Sequence, residues 1–177
     1  MIDVLIRRPQ TEENDSVRAV VQTVVDEIYS GLWAPPPLPV DEENWHSFLG
    51  TVGDARIIGV VRTSGERLND LRVLRERRGY GVGQRLLTQG EAEIIAPGHE
   101  TRHLRVVQSN TAAIEFYRHH GWRIARTVPH ERFPITMSEV FHPPGRRKVM
   151  ARKALRIRLL RMTVENRRFH SHGAVLF

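Results

Sequence analysis

Between Leu71 and Leu87 the chain reads Leu-Arg-Val-Leu-Arg-Glu-Arg-Arg-Gly-Tyr-Gly-Val-Gly-Gln-Arg-Leu-Leu. Leu71 and Val73 alternate as a strand does. Gly79, Gly81 and Gly83 follow at every second position, and Leu86, Leu87, Gly90, Ile94 and Ile95 then recur at helical steps. A strand, a glycine turn and a helix start in that order make an anion cradle. Glycine lets the backbone turn tightly and approach a ligand. The unpaired N–H groups of the first helical turn face that ligand, with the positive end of the helix dipole behind them. The segment predicts a phosphate-bearing ligand.

Spacing decides which one. A nucleotide P-loop closes on Gly-Lys-Ser/Thr, but Gln84 and Arg85 follow Gly83. A dinucleotide fingerprint needs Gly-x-Gly-x-x-Gly and an acidic ribose partner after the next strand. Here the third glycine comes one residue early, and the next strand-like run ends in Gln108, Ser109 and Asn110. Neither pattern is met. The pattern present is Arg-x-x-Gly-x-Gly, on Arg78, Gly81 and Gly83. It resembles the pyrophosphate-binding signature of the GNAT acyltransferase superfamily, whose co-substrate is acetyl-CoA or another acyl-CoA. Downstream, Leu104-Arg-Val-Val-Gln-Ser-Asn110-Thr-Ala-Ala-Ile-Glu-Phe116-Tyr117-Arg-His-His-Gly121-Trp122 is similar to that family's strand, Asn, helix, Phe-Tyr and Gly-aromatic segment. The resemblance extends over roughly residues 3–151 and is firm from about 57 to 122. One departure stands out: the family often has proline three residues before the motif arginine, where this chain has Arg75.

The rest of the chain predicts elements in a compatible order. A strand over 3–7 precedes a helix marked by Val17, Val20, Val21, Val24, Val25 and Ile28, stopped at Gly31. Consecutive prolines make 33–39 an extended loop, and Asp41 can cap a short helix after it. Runs over 47–51 and 55–62 flank a hairpin turn, and a second turn at Ser64-Gly65 leads to a strand over 68–74. After the cradle come a helix over 82–96, a strand over 103–107, a helix over 111–120 and a strand over 122–127. The proline-bearing stretch 129–144 reads as a loop and 147–151 as the last strand. This order fits an α/β (α+β) fold, a mixed antiparallel and parallel sheet flanked by helices, which is the fold the resemblance implies.

Composition narrows the class. With 177 residues, 40% hydrophobic and 27% charged, the chain is an ordinary globular domain long enough for a core. It has no apolar run of membrane-spanning length and no signal-peptide order at its start, so the expected compartment is cytoplasmic. The absence of cysteine excludes disulfides and thiolate metal sites. The net charge of +7 is unevenly placed: residues 152–177 carry +6 and the remainder +1. The body therefore gives no reason to expect nucleic acid, and the expected division is a domain over 1–151 with a basic extension over 152–177.

Acyl transfer from a thioester requires a held acyl-CoA, a deprotonated nucleophile, donors for the developing oxyanion and a proton for the leaving thiolate. The resemblance implies that the backbone from Arg78 through Gly79, Tyr80, Gly81, Val82 and Gly83 holds the pyrophosphate. It implies that the pantetheine arm lies between the strands over 68–74 and 103–107, along Leu71, with an N–H near Val73 facing the thioester oxygen. Asn110 would bond the pantetheine, with Ala113 one turn on, although an Asn there also serves as a helix N-cap. Tyr117 stands at the family's general-acid position; packing beside Phe116 is the plainer role. Asp70 and Glu66 are the candidate bases, with water relayed from a carbonyl as the alternative. Trp33, Trp45, Glu131 and Phe133 fall on loops of the acceptor side. The histidines lack metal-ligand spacing, so no metal is expected. With no cysteine and no Ser-His constellation in motif context, the implied reaction is direct attack by an amine. A small-molecule or a peptide amine suits it equally, as does a homodimer. The rival is a catalytically silent acyl-CoA-binding module whose tail contacts nucleic acid or a protein partner.

Overall fold

In the computed structural model, residues 4–32, 48–53, 56–131 and 133–144 are described. They belong to one compact unit, Met1–Pro143, apart from Pro144, which opens the second, Pro144–Phe177. The elements are β1 (Leu5–Arg7), α1 (Asn14–Tyr29), β2 (Leu49–Gly53), β3 (Arg56–Ser64), β4 (Arg67–Val73), α2 (Val82–Ile95), β5 (Arg102–Val107), α3 (Thr111–His119), β6 (Arg123–Pro129) and β7 (Thr136–His142). They form a seven-stranded sheet in the order β1-β2-β3-β4-β5-β7-β6. All neighbours are antiparallel except β4 and β5.

The sheet is covered on both faces. Val17, Val20, Val21 and Val25 of α1 pack with Phe48, Ile57 and Val60 on one face. The helical period of these valines outweighs their preference for strands because each turn buries the same stripe. Val61, next to Val60 and so pointing the other way, packs with Leu68, Leu86, Leu87, Ile94, Tyr117 and Trp122 under α2 and α3. The run Ile57–Val61 is buried throughout because β3 has a helix on each side.

Two features of β4 shape what lies beside it. Leu68 pairs with Thr63 and Asp70 with Arg62, which leaves Asn69 as an extra residue, a bulge. The parallel neighbour β5 is in register with β4 only at Arg67–His103, where the His103 N–H donates to the Glu66 carbonyl at 3.0 Å. Beyond that point the two strands part, and the β4 edge past the bulge faces an opening.

The stretch 129–144, read from the sequence as a loop, contains a full strand. β7 lies between β5 and β6 and pairs with both along its length. Its alternation is weak, since Ser138 is buried beside Met137. Its prolines, Pro134 and Pro143, bracket the strand instead of interrupting it, as proline at strand ends can. The expected strand over 147–151, the extension over 152–177, the proline loop with Trp33 and the short helix with Trp45 lie outside the described residues.

Candidate active site

The glycine turn is built as an open helix end. Gly79 and Gly81 have φ of 82° and 83°, a region that L side chains rarely enter, and Gly81 is the N-cap of α2. No side chain caps this helix and no acidic residue occupies its first turn. The first bond in the turn is from Arg85 N–H to the Gly81 carbonyl at 3.1 Å, so the N–H groups of Val82, Gly83 and Gln84 have no partner within the helix. A Cβ built on Gly79 or Gly81 meets nothing within 4 Å. At Gly83 it would lie 3.6 Å from the Phe116 ring, so this glycine lets α3 approach α2. Tyr80 is 58% exposed and lines neither of the cavities described below.

Arg78 ties three elements to this turn. Its Nε donates to the Val73 carbonyl at 3.0 Å, and both terminal nitrogens donate to the Glu27 carboxylate of α1 at 2.7 Å each. The guanidinium holds the Glu27 carboxyl below its usual range. The motif arginine is thus committed to protein partners, and the anion-facing donors at the turn are backbone groups.

The parting of β4 and β5 opens two cavities, one of about 620 Å³ on the glycine side and one of about 300 Å³ running toward the β6–β7 loop. Ile28, Leu71, Arg72, Asn110, Ala113 and Tyr117 line both, so the two meet at a shared wall. At that wall the Leu74 N–H donates to Ile58 of β3 at 3.0 Å. Because alternate N–H groups of a strand point to opposite sides, the Val73 N–H faces the opening. The Asn110 side-chain oxygen accepts from Ala113 N–H at 3.1 Å and caps α3, which leaves its NH₂ group for other partners. Tyr117 is 7% exposed, with its ring edge-on to Phe116 at 5.3 Å and tilted against Trp122 at 5.7 Å. Burial pushes its phenol well above the ordinary tyrosine value; the Arg72 charge opposes that shift and the Asp70 charge adds to it.

The charges of the smaller cavity come largely in bound sets. One Asp70 oxygen accepts from Arg62 Nε at 3.1 Å and Nη2 at 3.0 Å, the other from Arg72 Nε at 3.2 Å and Nη2 at 2.7 Å. Arg105 bonds Glu131 at 3.0 Å and Glu139 at 2.8 Å. Of the two carboxylates singled out in the sequence, Asp70 lines this cavity with both oxygens occupied. Glu66 lies on the β3–β4 turn, 3.9 Å from His103, and lines neither cavity. Glu131 lines the smaller cavity, and Phe133 packs behind it on the His130 ring at 4.9 Å. Sequence reasoning passed over Glu27, Tyr29, Arg72 and His130. Only Arg72 carried a local signal, as the strand neighbour of Leu71 and Val73. Among the described residues no group of three or more His, Cys, Asp or Glu is placed to hold a metal ion, and no helix is long and apolar enough to cross a membrane.

Similar solved structures share this architecture. Ard1 from Thermoplasma volcanium is 21% identical and superposes with a TM-score of 0.65, covering 80% of this chain and 98% of that one. The PaiA N-acetyltransferase from Thermoplasma acidophilum, in complex with coenzyme A, is 17% identical with a TM-score of 0.62, covering 80% and 99%. Naa50 from Arabidopsis thaliana, in complex with the bisubstrate analogue CoA-Ac-MVNAL, is 16% identical with a TM-score of 0.58, covering 79% and 98%. No curated protein matches the chain in sequence. These likenesses are of fold. The family model of the acetyltransferase (GNAT) family, however, matches residues 19–122, more than half of the chain, including the glycine turn, both parting strands and α3. On that match, the chain belongs to the acetyltransferase (GNAT) family and is an acetyl-CoA-dependent acyltransferase.

Proposed function

We propose that the chain moves the acetyl group of acetyl-CoA onto an amine by direct attack, with residues 1–151 as the catalytic domain. The observation that carries this reading is the wall shared by the two cavities. A cofactor-sized groove and a smaller pocket meet at Asn110, Ala113 and Tyr117, so a thioester in one can be reached by a nucleophile in the other. The glycine turn suits the diphosphate: it is open where a Cβ would stand and presents the unpaired donors of α2.

Bound acetyl-CoA supplies the activated acyl group. The backbone of Val82, Gly83 and Gln84 holds its diphosphate, and the Asn110 amide and the β4 edge hold its arm. Val73 N–H donates to the carbonyl oxygen as that oxygen gains charge. Tyr117 stays protonated through the neutral range and gives its proton to the departing thiolate. The Arg72 guanidinium nearby favours the phenolate left behind. Asp70 keeps Arg72 in place. The acceptor is a small amine or a peptide amine. Peptide acceptors draw support from the peptide portion of the analogue bound to the Arabidopsis relative.

The test combines acetyl-CoA calorimetry with thiol release over a panel of small amines and peptides with free amino termini, and mass detection of the acetylated product. Acetyl-CoA binding with amine-dependent thiol release is the expected result. Binding without transfer to any amine would favour a silent module, and no binding would refute the cradle.

A further inference from the structure

We propose that His130 is the general base that takes the proton from the acceptor ammonium. This rests on the amine acetylation proposed above and names a residue that no motif marks. His130 follows β6 on the loop to β7 and lines the smaller cavity together with Tyr117 and Asn110. Its backbone N–H donates to the Ile135 carbonyl at 2.9 Å, and the Phe133 ring packs against the imidazole at 4.9 Å, so the loop fixes the residue in the cavity wall.

Chemistry eliminates the other described groups that line this cavity. Asp70 spends both oxygens on two guanidinium groups, and protonating it would break those bonds. Glu131 is tied to Arg105, and its side chain is 79% exposed, turned largely to solvent. Tyr29 and Tyr117 are phenols whose burial strengthens their hold on the proton. Arg67, Arg72 and Arg105 are permanent cations. An imidazole is the side chain suited to taking and releasing a proton near neutrality.

Reach and surroundings agree. His130 and Tyr117 line the same cavity of about 300 Å³, so an amine bound in it has the acid on one wall and the imidazole on another, with water to relay the proton between amine and ring. Among the described residues, the charges around this cavity are Glu131 and Glu139 with Arg105 and Arg126, from the β6–β7 loop, β7, β5 and β6, and Asp70 with Arg72 and Arg62, from β4 and β3, the second set carrying one positive charge in excess. Tyr29 of α1 and Tyr117 of α3 face it uncharged, and Arg67 stands at the closed end of the strand gap. The proton accounting closes. The ammonium nitrogen gives one proton through water to His130, and its freed lone pair forms the C–N bond. As the C–S bond breaks, the thiolate takes the Tyr117 proton. The new amide nitrogen loses its second proton, which restores the phenol, and His130 returns the first to solvent.

The test uses the full chain and its variants His130→Gln and His130→Ala, with two probe acceptors of different basicity. One is a tetrapeptide with a free amino terminus, of pKa about 7.7–8.0; the other is Nα-acetyl-lysine amide, of pKa about 10.4. In the parent, the rising limb of kcat/KM against pH should fall at the same place for both acceptors, because it belongs to the enzyme. In His130→Gln that limb should follow the pKa of each acceptor, and kcat/KM at pH 7 should drop about 10²- to 10⁴-fold. Acetyl-CoA affinity and melting temperature should hold, and free imidazole should restore part of the activity of His130→Ala. Should neither probe be turned over, background hydrolysis of acetyl-CoA by the parent and by His130→Gln supplies the rate comparison, with water as the nucleophile, and equal rates would overturn the assignment. Variants within about threefold of the parent, with the parent's limb intact, would overturn the assignment while leaving amine acetylation standing. A parent that binds no acetyl-CoA and releases no thiol would overturn both.

Discussion

The sharpest test of the cradle is a pair of variants at Gly81 that differ only in charge, Gly81→Asn and Gly81→Asp. Gly81 has φ of 83° and ψ of −1° at the N-cap of α2, and a Cβ there meets nothing within 4 Å. Neither variant should therefore suffer a clash. Both pay for the left-handed backbone, about 1–2 kcal/mol. At this chain length each kcal/mol lowers Tm by about 2–4 °C, so both variants should melt within about 8 °C of the parent. What separates them is a carboxylate pointing into the space where a diphosphate would sit. Two like unit charges about 5 Å apart at an effective dielectric of about 20 repel by about 3 kcal/mol, or about 10² in Kd. At physiological salt the Debye length of about 8 Å roughly halves that energy and cuts the ratio to about 20. Calorimetry with acetyl-CoA at two salt concentrations measures both ratios. Equal affinities for folded Asn and Asp variants at both salts would refute an anion site at this turn.

Three further outcomes are expected. Tyr117→Phe keeps the packing against Phe116 and Trp122 and removes the donor, so turnover should fall about 10²-fold or more with acetyl-CoA affinity preserved; near-normal turnover in single-turnover measurements would reduce Tyr117 to a packing residue. Glu27→Gln breaks the pair that binds α1 to Arg78; since both side chains are about a third or more exposed, the loss should be only about 0.2–1 kcal/mol, read as a small fall in Tm. The pair depresses the folded-state pKa of Glu27, so its contribution is complete above the unfolded value of about 4.3 and disappears as pH falls below it; a Tm difference between parent and variant that grew on acidification would contradict the pair. Removing residues 154–177 should leave Tm and acetyl-CoA affinity nearly unchanged, whereas a loss of solubility or a split from oligomer to monomer in light scattering would make the extension structural.

What the sequence discloses about this molecule follows from how local each requirement is. The glycine turn is legible because φ above zero at Gly79 and Gly81 is a demand on single residues, and glycine is the residue that meets it cheaply. The helices are legible because one buried stripe repeats along α1 and α2. β7 is hidden because its two sides do not differ cleanly, with Ser138 as buried as Met137, and its prolines stand next to the strand as they would in a loop. The roles of the charged groups are the least local. Asp70 looks the same from the sequence whether it is a free base or a saturated anion. What decides is Arg62 across a hairpin whose register depends on the Asn69 bulge, together with Arg72 two residues on. Arg78 meets Glu27 from 51 positions away, and no local pattern discloses that its side chain braces α1 against the glycine turn. His130 has no spacing to announce it, because its place at the cavity follows from β7 threading between β5 and β6 and drawing the β6–β7 loop over the gap. A proton acceptor is defined by what its neighbours leave undone. In this site arginines hold Asp70, Glu131 and Glu139, and the base we propose stands instead on the loop between β6 and β7, beyond the strand that parts from β4.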